Sequence, residues 1–479
     1  MKKMILYQSH ICIEGYLPGD SSILEESLST KDKFGNVTGR YFEYDPDEEK
    51  MIIPRGMDVN ALAKTLDIPV EINRDYTKPA KMTINPNIQL RNELQVCGVA
   101  FLLGEDRFNY TKGASQLSLN LPPGEGKTAI TITALAYMKE KPMIITHRSN
   151  IAQQWIDSFV KFTNIDASEI LVVNGSAKMS KLMDNKKYSR YKVYLMSHGT
   201  IRSFCDKYGW DSLNDICNNL GIGVKVIDEA HANFTNTLHI DYHTNVRKSI
   251  YLTATFGRSD WQENKVLNNC FRAIPKFGKN KTSSDQKHIV YVGIFYDSHP
   301  SSIDKANTKN FYGFNKIKYA EYCETSEKFY DSLIKAANMF VDKEGKMLIL
   351  VSKITTIEEI VKRLRDYYPD KTINPYHSKV DMDLYEMAKN TDIIVTTTSS
   401  MKEGIDIYGL RFCIMCEAYS SQIQAEQASG RLRPYAPDPS KNCFYVELVD
   451  KGFGQVYSMY KKRLKIFKNK CLKMVNIDL

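Results

Sequence analysis

The chain has 479 residues, which is too long for one ordinary hydrophobic core and predicts two or three domains. Hydrophobic residues make up 43% and charged residues 25%, a balance that excludes wholesale disorder, and no apolar run approaches the roughly 18–20 residues that span a bilayer. Lysine and arginine outnumber aspartate and glutamate by 65 to 56, which favours a polyanionic partner without proving one.

The first residues and the cysteines indicate an intracellular protein. Residues 1–7 begin like a signal peptide, but Gln8, His10 and Glu14 interrupt them before a long apolar stretch forms. The ten cysteines are scattered and fit free thiols in a reducing compartment. Cys413 and Cys416 have metal-like spacing, but their apolar surroundings favour two side chains of a buried strand over a zinc or redox site.

Residues 1–85 predict a small accessory domain that is rich in β-structure. Strand-like segments at 11–16, 39–44 and 50–54 alternate with turn signals that contain glycine, proline, asparagine and aspartate. A short helix is predicted over 58–66. The region has no recognisable chemical motif, so both the binding of duplexes or junctions and protein docking are open roles for it.

From residue 86 to 275 the pattern changes to apolar strands that alternate with helices. Strands are predicted at 143–146, 191–196, 224–227 and 249–253, and a helix at 150–162. Continuous apolar strands separated by helices indicate a parallel sheet that is covered on both faces. We therefore predict a first α/β lobe over 86–275.

A second α/β lobe is predicted over 276–479, beginning with a polar linker at 276–287. Its strands are predicted at 288–295, 347–351, 393–396 and 412–416, and its helices at 327–340 and 356–367. The basic segment 457–473 either lies on nucleic acid or is the solvated face of a terminal helix. The predicted fold class is therefore α/β, with two tandem parallel-sheet lobes after a small β-rich N-terminal accessory domain.

A glycine-rich loop before a predicted helix has the residues of a phosphate cradle. Gly124 and Gly126 let backbone N–H groups turn toward phosphate oxygens, where a Cβ atom would obstruct them. Lys127 can reach the β- and γ-phosphates, and Thr128 can offer its hydroxyl to Mg²⁺. The strict pattern has glycine where this chain has Leu121. The whole loop reads Leu121-Pro122-Pro123-Gly124-Glu125-Gly126-Lys127-Thr128.

Two carboxylates end another predicted strand. Asp228 and Glu229 directly follow the apolar residues Val226 and Ile227. Acids at the end of a buried strand are costly unless they serve a purpose. We expect Asp228 to hold Mg²⁺ through water, and Glu229 to orient and deprotonate the attacking water. Together with the loop, this pair predicts that the protein binds and hydrolyses a nucleoside triphosphate.

The order of these motifs resembles that of the DExH helicases and translocases of superfamily 2. Asp228-Glu229-Ala230-His231 spells the DEAH form of their acidic motif. The run 252–260, LTATFGRSD, is similar to the LTATPxRxD pattern of the branch that contains XPB, phage UvsW and the type I restriction translocases, with Phe256 in place of the usual proline. Residues 145–148, followed by Gln154, Trp155 and Phe159, resemble a further segment of that branch.

This resemblance implies RecA-like lobes and roles for several residues of the first lobe. Gln95, in an element similar to LRxxQ, would read adenine, which favours ATP over GTP; an exposed helix residue is the alternative. His231 would sense the γ-phosphate or pass the signal to neighbouring motifs, and Thr253 and Thr255 would couple hydrolysis to movement. The nucleic-acid contacts implied in this lobe are His147, Arg148 and Thr200.

The second lobe contains segments that resemble motifs V and VI of the same family. Residues 427–434 are similar to the motif VI pattern QxxGRxxR, but the last arginine comes one residue early. Arg431 and Arg433 are therefore both candidates for the arginine that stabilises charge on the leaving phosphate. The resemblance implies that nucleotide-binding residues are Gly404, Asp406 and Gln427, and that nucleic-acid contacts are His377, Thr396 and Thr397.

The function implied is that of an ATP-dependent helicase or translocase that uses Mg²⁺. ATP would lie between the two lobes, and alternating closure and opening would move the protein along one strand. DNA, whether single-stranded, forked or branched, is the favoured track, in replication, recombination or repair. The compact form suggests a phage or viral enzyme, acting as a monomer in the host cytoplasm. The alternatives are an RNA helicase or transcript-release factor, and a nucleotide-gated clamp that does not travel.

Overall fold

The computed structural model describes most of the chain. Outside the described part are residues 1, 33, 123, 148–150, 185, 254–259, 279–286, 312, 378–379, 381–386, 388–389, 401–406 and 421, and the side chains of residues 184, 186, 422–423, 426–427, 466 and 469–470. The chain divides into two compact units, Met1–Ser283 and Ser284–Leu479.

The first unit begins with a small mixed β-sheet. The strands of this region are β1 Lys3–Leu6, β2 His10–Glu14, β3 Ser29–Lys31, β4 Val37–Arg40, β5 Glu43–Asp45, β6 Lys50–Pro54 and β7 Val70–Ile72. Among the described residues, five of them form a sheet in the order β5-β6-β2-β1-β7, in which the β1–β7 pair is parallel and the other pairs are antiparallel. β3 and β4 pair with each other. The segment predicted as one strand at 39–44 is therefore divided between two sheets.

Two short helices accompany this sheet, α1 Ser22–Ser27 and α2 Val59–Leu66. Asp58 begins α2 because its carboxylate accepts a hydrogen bond from the N–H of Ala61 at 3.1 Å. Such an N-cap satisfies one of the backbone donors that the first turn of a helix leaves without an intrahelical partner.

A parallel sheet forms the centre of the first unit. Its strands are β8 Gln116–Asn120, β9 Lys141–Thr146, β10 Ile170–Val173, β11 Val193–Ser197, β12 Ile222–Ile227, β13 Lys248–Thr253 and β14 Lys276–Phe277. In the described part of the chain these seven strands are all parallel and follow the order β10-β11-β9-β12-β13-β8-β14. The helices around them are α3 Glu93–Leu103, α4 Lys127–Met138, α5 Ala152–Phe162, α6 Ser176–Asp184, α7 His198–Tyr208, α8 Ser212–Leu220, α9 Phe234–Tyr242 and α10 Trp261–Cys270.

Both faces of this sheet are buried, as continuous apolar strands predict. In β9, Met143 and Ile145 belong to one hydrophobic cluster, whereas Ile144 belongs to the cluster on the opposite face. The first of these clusters also contains Ile11 and Met51 from the N-terminal sheet. The N-terminal sheet therefore packs on the lobe and extends its core.

The second unit is built around another parallel sheet. Its strands are β15 Ile289–Tyr296, β16 Lys309–Asn310, β17 Gly313–Phe314, β18 Lys346–Val351, β19 Ile373–Tyr376, β20 Ile393–Thr397, β21 Leu410–Met415, β22 Cys443–Asp450 and β23 Lys473–Asp478. Within the described residues, seven strands form the sheet in the order β19-β20-β18-β21-β22-β15-β23, and β16 and β17 form a separate hairpin. The helices are α11 Ser302–Asn307, α12 Lys316–Thr325, α13 Glu327–Asn338, α14 Ile354–Tyr367, α15 Gln422–Ser429 and α16 Gly454–Lys470. Two parallel-sheet lobes after a small N-terminal sheet confirm the predicted fold class.

The basic segment predicted at 457–473 is not one uniform solvated face. It forms most of α16, and the chain then continues as β23, which pairs in parallel with β15. Lys461, Lys462 and Lys465 are exposed, but Arg463 is only 2% exposed and lies 2.8 Å from the carboxylate of Glu447, which is 1% exposed. Sequence spacing predicts the helix, but it does not show which basic residue turns into the core.

The described residues contain no helix that is long and apolar enough to cross a membrane. Cys413 lies in the predicted buried strand, here β21, and Cys416 directly follows it. Burial raises the pKa of the Cys413 thiol to about 12. In the part of the chain that the structure describes, no group of three or more histidine, cysteine, aspartate or glutamate side chains is placed to hold a metal ion.

Candidate nucleotide-hydrolysis site

The glycine-rich loop connects β8 to the start of α4. Gly124 and Gly126 have φ angles of 91° and 86°, in the left-handed region that favours glycine, and Gly126 is the N-cap of α4. A Cβ atom added to Gly126 would lie 2.3 Å from Nε2 of Gln95. The φ angle therefore favours glycine at position 126, and a larger residue would also displace the amide of Gln95. The loop leads into a helix N-terminus, which attracts anions.

The lysine of the loop folds back across it. Nζ of Lys127 donates to the carbonyl oxygen of Leu121 at 2.8 Å, so the ammonium group spans the loop from end to end. Leu121, which replaces the usual glycine, is fully buried and anchors the start of the loop in the hydrophobic core. Thr128 is half-buried in the first turn of α4. Pro123 lies outside the described residues.

Gln95 is buried against the loop rather than exposed on a helix. Its Nε2 donates to the carbonyl oxygen of Glu125 at 3.2 Å, and its Oε1 accepts from the N–H of Arg91 at 2.9 Å. Nη2 of Arg91 donates to the carbonyl oxygen of Gly124 at 3.4 Å. The side chains of Gln95 and Arg91 thus hold the loop through hydrogen bonds to its backbone carbonyl oxygens. The support from Arg91 is one that sequence reasoning missed, although Arg91 belongs to the LRxxQ-like element.

The acidic pair lies where β12 ends. One carboxylate oxygen of Asp228 accepts from Nε1 of Trp155 at 3.1 Å, and the other accepts from the N–H of Glu229 at 3.0 Å. Burial, and secondly the charge of Glu229, raise the pKa of Asp228 to about 6, whereas Trp155 and the charge of Lys127 act in the opposite direction. A half-buried carboxylate with so little compensation is stabilised by a cation beside it. Asp228 and the Thr128 hydroxyl are hard oxygen donors that fit Mg²⁺.

Glu229 begins a series of polar side-chain contacts. Its φ angle of 49° is in the left-handed region, which is strained for a residue with a side chain and is often found at functional sites. Oε2 of Glu229 lies 3.4 Å from Nδ1 of His231, and the same nitrogen lies 2.8 Å from Oγ1 of Thr253, at the end of β13. The structure therefore connects the predicted base to two predicted coupling residues. The third, Thr255, lies outside the described residues.

Two predicted nucleic-acid contacts follow neighbouring strands, His147 in the connection after β9 and Thr200 in the first turn of α7 after β11. His147 directly follows β9, and its Nδ1 lies 2.7 Å from Nδ2 of Asn233, a residue that sequence reasoning missed. The hydroxyl of Thr200 lies 3.1 Å from that of Ser197, the N-cap of α7 after β11. Arg148 lies outside the described residues.

All of these groups lie at one edge of the sheet. Because the strands are parallel, their carboxyl ends meet at a single edge, which is where ligands bind in such sheets. The groups that follow β8, β9, β11, β12 and β13 are, in that order, the phosphate loop, His147, Thr200, Asp228 with Glu229, and the end of β13 at Thr253.

The second unit has a similar set of hydroxyl groups at its own carboxyl edge. Thr396 and Thr397 end β20, and the hydroxyl of Thr397 accepts from the N–H of Ser400 at 3.1 Å. His377 follows β19, and its Nε2 lies 2.8 Å from a carboxylate oxygen of Glu358. Outside the described part of the chain are Gly404, Asp406 and the side chain of Gln427.

The two candidate arginines are held through their backbone. Nε2 of His288 lies 2.8 Å from the carbonyl oxygen of Leu432, and Sγ of Cys443 donates to the carbonyl oxygen of Arg433 at 3.0 Å. His288 and Cys443 mark the amino ends of β15 and β22, and Leu432 between the arginines is buried. Arg431 and Arg433 thus belong to a fixed turn at the amino edge of the second sheet. Which of them acts on a nucleotide stays a prediction.

A glycine-rich loop at a helix N-terminus, beside an acidic pair at the end of a parallel strand, defines a phosphate-binding nucleoside triphosphatase. Comparisons with known proteins support this class. The family described as "Type III restriction enzyme, res subunit" matches residues 76–258, and the "Helicase conserved C-terminal domain" matches residues 328–433.

Two relatives span most of this chain at low identity. The transcript termination protein A18 of Yaba-like disease virus is 23% identical over 409 residues, covering 80% of this chain and 78% of that protein. The XPB subunit of the general transcription and DNA repair factor IIH of Dictyostelium discoideum is 24% identical over 478 residues, covering 92% of this chain and 54% of that protein. The viral relative is consistent with the predicted viral type.

A solved structure supports the same fold. A fragment assigned as the HsdR subunit of a type I restriction enzyme from Vibrio vulnificus YJ016 aligns with a TM-score of 0.54 at 14% identity, covering 82% of this chain and 70% of that one. The lobes are RecA-like. In both lobes the chain is similar to the helicases and translocases of superfamily 2, and most of its length is similar to an XPB subunit, as the sequence resemblance predicted. It is an ATP-hydrolysing motor enzyme that acts on nucleic acid.

Proposed function

We propose that this chain is a Mg²⁺-dependent ATPase that translocates on DNA. The observation that carries the proposal is the carboxyl edge of the first sheet, where the phosphate loop, the half-buried Asp228 and the polar contacts from Glu229 through His231 to Thr253 lie together. The choice of DNA rests on the relative named as a transcription and DNA repair factor, which aligns with 92% of this chain. Single-stranded, forked or branched DNA would be the substrate.

The residues of the loop and the acidic pair divide the chemical work. ATP supplies the phosphoanhydride bond whose hydrolysis drives movement. The N–H groups of the loop and the first turn of α4 hold phosphate oxygens, and Lys127 neutralises their charge by leaving the carbonyl of Leu121. Thr128 and Asp228 would hold Mg²⁺, which would neutralise charge on the phosphates. Glu229 accepts a proton from the attacking water, and its contact with His231 passes the change to Thr253.

The remaining assignments are proposals that follow from the family. Gln95 fixes the loop and reads adenine, and Thr396 and Thr397 grip the nucleic-acid backbone. The domains would be residues 1–85, 86–275 and 276–479. We also propose that the enzyme acts as a monomer in the cytoplasm of a host cell.

A steady-state ATPase assay tests whether the enzyme acts on DNA or on RNA. The rate is measured with no nucleic acid, single-stranded DNA, duplex DNA, forked DNA and matched RNA, with Lys127→Ala as the inactive control. We expect strong stimulation by DNA, greatest with forks, and no turnover in the variant. Stimulation by RNA alone would overturn the DNA track, and binding without turnover on any substrate would show a nucleotide-gated clamp.

The arginine assignment has its own test. Arg431→Ala and Arg433→Ala are compared for DNA-stimulated ATP turnover and for binding of a fluorescent ATP analogue. We expect one variant to lose at least about a hundredfold in turnover while it still binds nucleotide, because an arginine on the leaving phosphate acts mainly in the transition state. Full turnover in both variants would contradict a role for either residue.

A second candidate function is the release of transcripts. It is favoured by the viral relative named as a transcript termination protein, which matches 80% of this chain over 78% of its own length. A stalled transcription complex with labelled RNA tests this function. Release that requires ATP and is lost in Glu229→Gln would support it, whereas retention of the RNA during active ATP hydrolysis would contradict it.

A further inference from the structure

A short hairpin in the second unit exposes an aromatic ring. β16 and β17 pair Asn310 with Gly313, and Phe311 directly follows β16. The side chain of Phe311 is 97% exposed, and Ile303 and Ile317 on the flanking helices are 68% and 67% exposed. One exposed apolar residue is ordinary, but three within one short segment indicate an interaction surface. The Phe311 hairpin is defined here as residues 301–311 and 313–318.

The hairpin is fixed to the lobe. The N–H of Asn315 donates to the carbonyl oxygen of the buried Thr308 at 2.8 Å, and the side chain of Asn315 caps α12. The ring of Phe314 packs on Tyr319 with ring centroids 5.6 Å apart, and on Phe453 at 6.5 Å. These contacts close the base of the hairpin, so the exposure of Phe311 is a property of an anchored turn.

The surface around the ring is positively charged. Four exposed lysines lie in the segment, and Nζ of one of them, Lys318, donates to the carbonyl oxygen of Lys309 at 3.0 Å. Within the described residues none of the four takes part in an ion pair; they are Lys305, Lys309, Lys316 and Lys318. The acid of the segment, Asp304, accepts from the N–H of Ser301 at 2.9 Å in a capping box. The charge complements a polyanion.

The hairpin also lies at the functional edge of its sheet. It follows the carboxyl end of β15, where Ser298 donates through its N–H to Asp450, the last residue of β22, at 3.2 Å. The same edge carries Thr397 at the end of β20, four strand spacings away in the sheet order. At a spacing of about 4.8 Å this separation is about 19 Å, which a few nucleotides of single strand can bridge.

We propose that the Phe311 hairpin is a contact site for single-stranded nucleic acid, separate from the motifs that the family resemblance assigns. A base stacks on the ring of Phe311, and the surrounding lysines contact the flanking phosphates. Aromatic rings serve this role because every base presents a π-face, and lysine contacts with phosphate need no particular sequence. The proposal rests on the nucleic-acid track of the proposed function.

The test compares Phe311→Ala with Phe311→Tyr and Tyr367→Ala in the full chain. Tyr367 is a matched control, because it is 59% exposed in the same unit but ends α14, near the amino end of β19. Binding of labelled single-stranded DNA and RNA 20-mers is measured by anisotropy. We expect Phe311→Ala to weaken binding roughly 5- to 150-fold, and the other two variants to stay within about twofold of the parent chain.

Two further measurements test whether the weaker binding comes from lost base stacking and whether the lysines contact phosphates. With an abasic oligonucleotide Phe311→Ala should bind as the parent chain does, because no base is left to stack. Lys309→Ala and Lys316→Ala should each reduce the slope of log affinity against log salt by about 0.7. ATPase activity without nucleic acid should be unchanged in all of these variants.

The outcomes separate the two proposals. If the parent chain binds both 20-mers and Phe311→Ala binds them equally well, the hairpin site is wrong and the motor is unaffected. If the parent chain binds neither oligonucleotide and its ATPase is not stimulated, both proposals fail. An equal loss in Tyr367→Ala would also overturn the hairpin site, because it would show that the effect is not local.

Discussion

Two carboxylates, Asp228 in the first unit and Glu447 in the second, are compensated to different degrees. At the end of β12, the carboxylate of Asp228 has hydrogen bonds from Trp155 and from the N–H of Glu229, and burial together with Glu229 raises its pKa to about 6. In the second unit, Glu447 accepts from Nε and Nη2 of Arg463 and from the hydroxyl groups of Tyr291 and Tyr419. Burial lowers the pKa of Arg463, but its attraction to Glu447 outweighs this effect and raises it.

This difference in hydrogen bonding distinguishes a candidate catalytic carboxylate from a structural ion pair. A buried ion pair whose polar atoms are hydrogen-bonded holds secondary-structure elements together. Here the pair of Glu447 in β22 and Arg463 in α16 is linked to Tyr419, because Arg463 donates to its carbonyl oxygen. Tyr419 precedes the turn that carries Arg431. A half-buried charge with little compensation, such as that of Asp228, is unfavourable by itself and is stabilised by a cation that binds with the ligand. The degree of compensation therefore distinguishes the candidate site from the core.

The largest expected effect comes from removing the poorly compensated charge. Asp228→Asn should lower DNA-stimulated ATP turnover by roughly ten-thousand-fold, about 5 kcal/mol, because the residue that holds Mg²⁺ is lost. Its melting temperature should stay the same or rise, since an unfavourable buried charge disappears. Parallel turnover and thermal melting measurements check both parts. A large fall in melting temperature would show that Asp228 is structural.

The well-compensated pair should behave in the opposite way. Arg463→Met should destabilise the second unit by about 3–5 kcal/mol, because it leaves the carboxylate of Glu447 buried and unpaired. Denaturant unfolding followed by circular dichroism measures the loss. Lys462→Met, at the exposed neighbouring position of α16, should change stability by no more than about 0.5 kcal/mol. Adding Glu447→Leu to Arg463→Met should recover part of the loss, and no recovery would contradict the assignment.

An intermediate case is the contact between the N-terminal sheet and α9. Oε1 of Glu43 lies 2.5 Å from Nδ1 of His239, and Oε2 lies 2.8 Å from Nε2 of His243. Burial raises the pKa of Glu43, but hydrogen bonds from the two histidines outweigh it and lower that pKa from 4.5 to about 2. Burial likewise lowers the pKa of His243, but its hydrogen bond to Glu43 and the charge of that residue raise it above 6.5.

The signs of these shifts define a pH window. Stability from Glu43 is complete above pH 4.5 and is lost as the pH falls toward about 2, whereas stability from His243 is complete below pH 6.5 and is lost as the pH rises through its elevated pKa. The first unit should thus be most stable between about pH 4.5 and 6.5, by about 2 kcal/mol after allowance for partial exposure. Melting temperatures across pH check this, and Glu43→Gln should flatten the profile. An unchanged profile in that variant would contradict the prediction.

The smallest effect is expected for Asp58, a half-buried acid that caps a short helix. Asp58→Ala should cost about 1 kcal/mol, because it removes only the N-cap of α2. Asp58→Ser should restore most of this stability, since a serine hydroxyl also caps a helix. Hydrogen exchange of the α2 amides is the appropriate measurement. Faster exchange in the serine variant than in the alanine variant would contradict the capping role.

Much of the fold follows from local pattern. The predicted strands at 143–146, 224–227, 249–253 and 347–351 all lie within observed strands, because fully buried parallel strands appear as short apolar runs. β23 was missed, since its residues are mostly half-exposed at the edge of the sheet and show no apolar run. The split of the segment 39–44 between two sheets was missed for a related reason: strand pairing depends on distant partners.

The residues of the candidate site could be predicted from the sequence, but several of the contacts between them could not. The loop, Asp228 and Glu229 were recognised from residue type and spacing, because phosphate and metal binding demand particular groups in a particular order. Their roles stay predictions until they are measured. Arg91 and Asn233 were missed as partners, since nothing in their local sequence shows that they meet Gly124 and His147.

The sequence by itself determined the class of enzyme and the alternation of strands and helices, because both depend on short motifs and local periodicity. Only the tertiary structure decided which charges are compensated. Arg463 lies among exposed lysines of the same helix, and its partner Glu447 is on a strand that precedes the helix. Whether a charged side chain reaches solvent, a partner or a ligand depends on packing between distant segments, which no local pattern records.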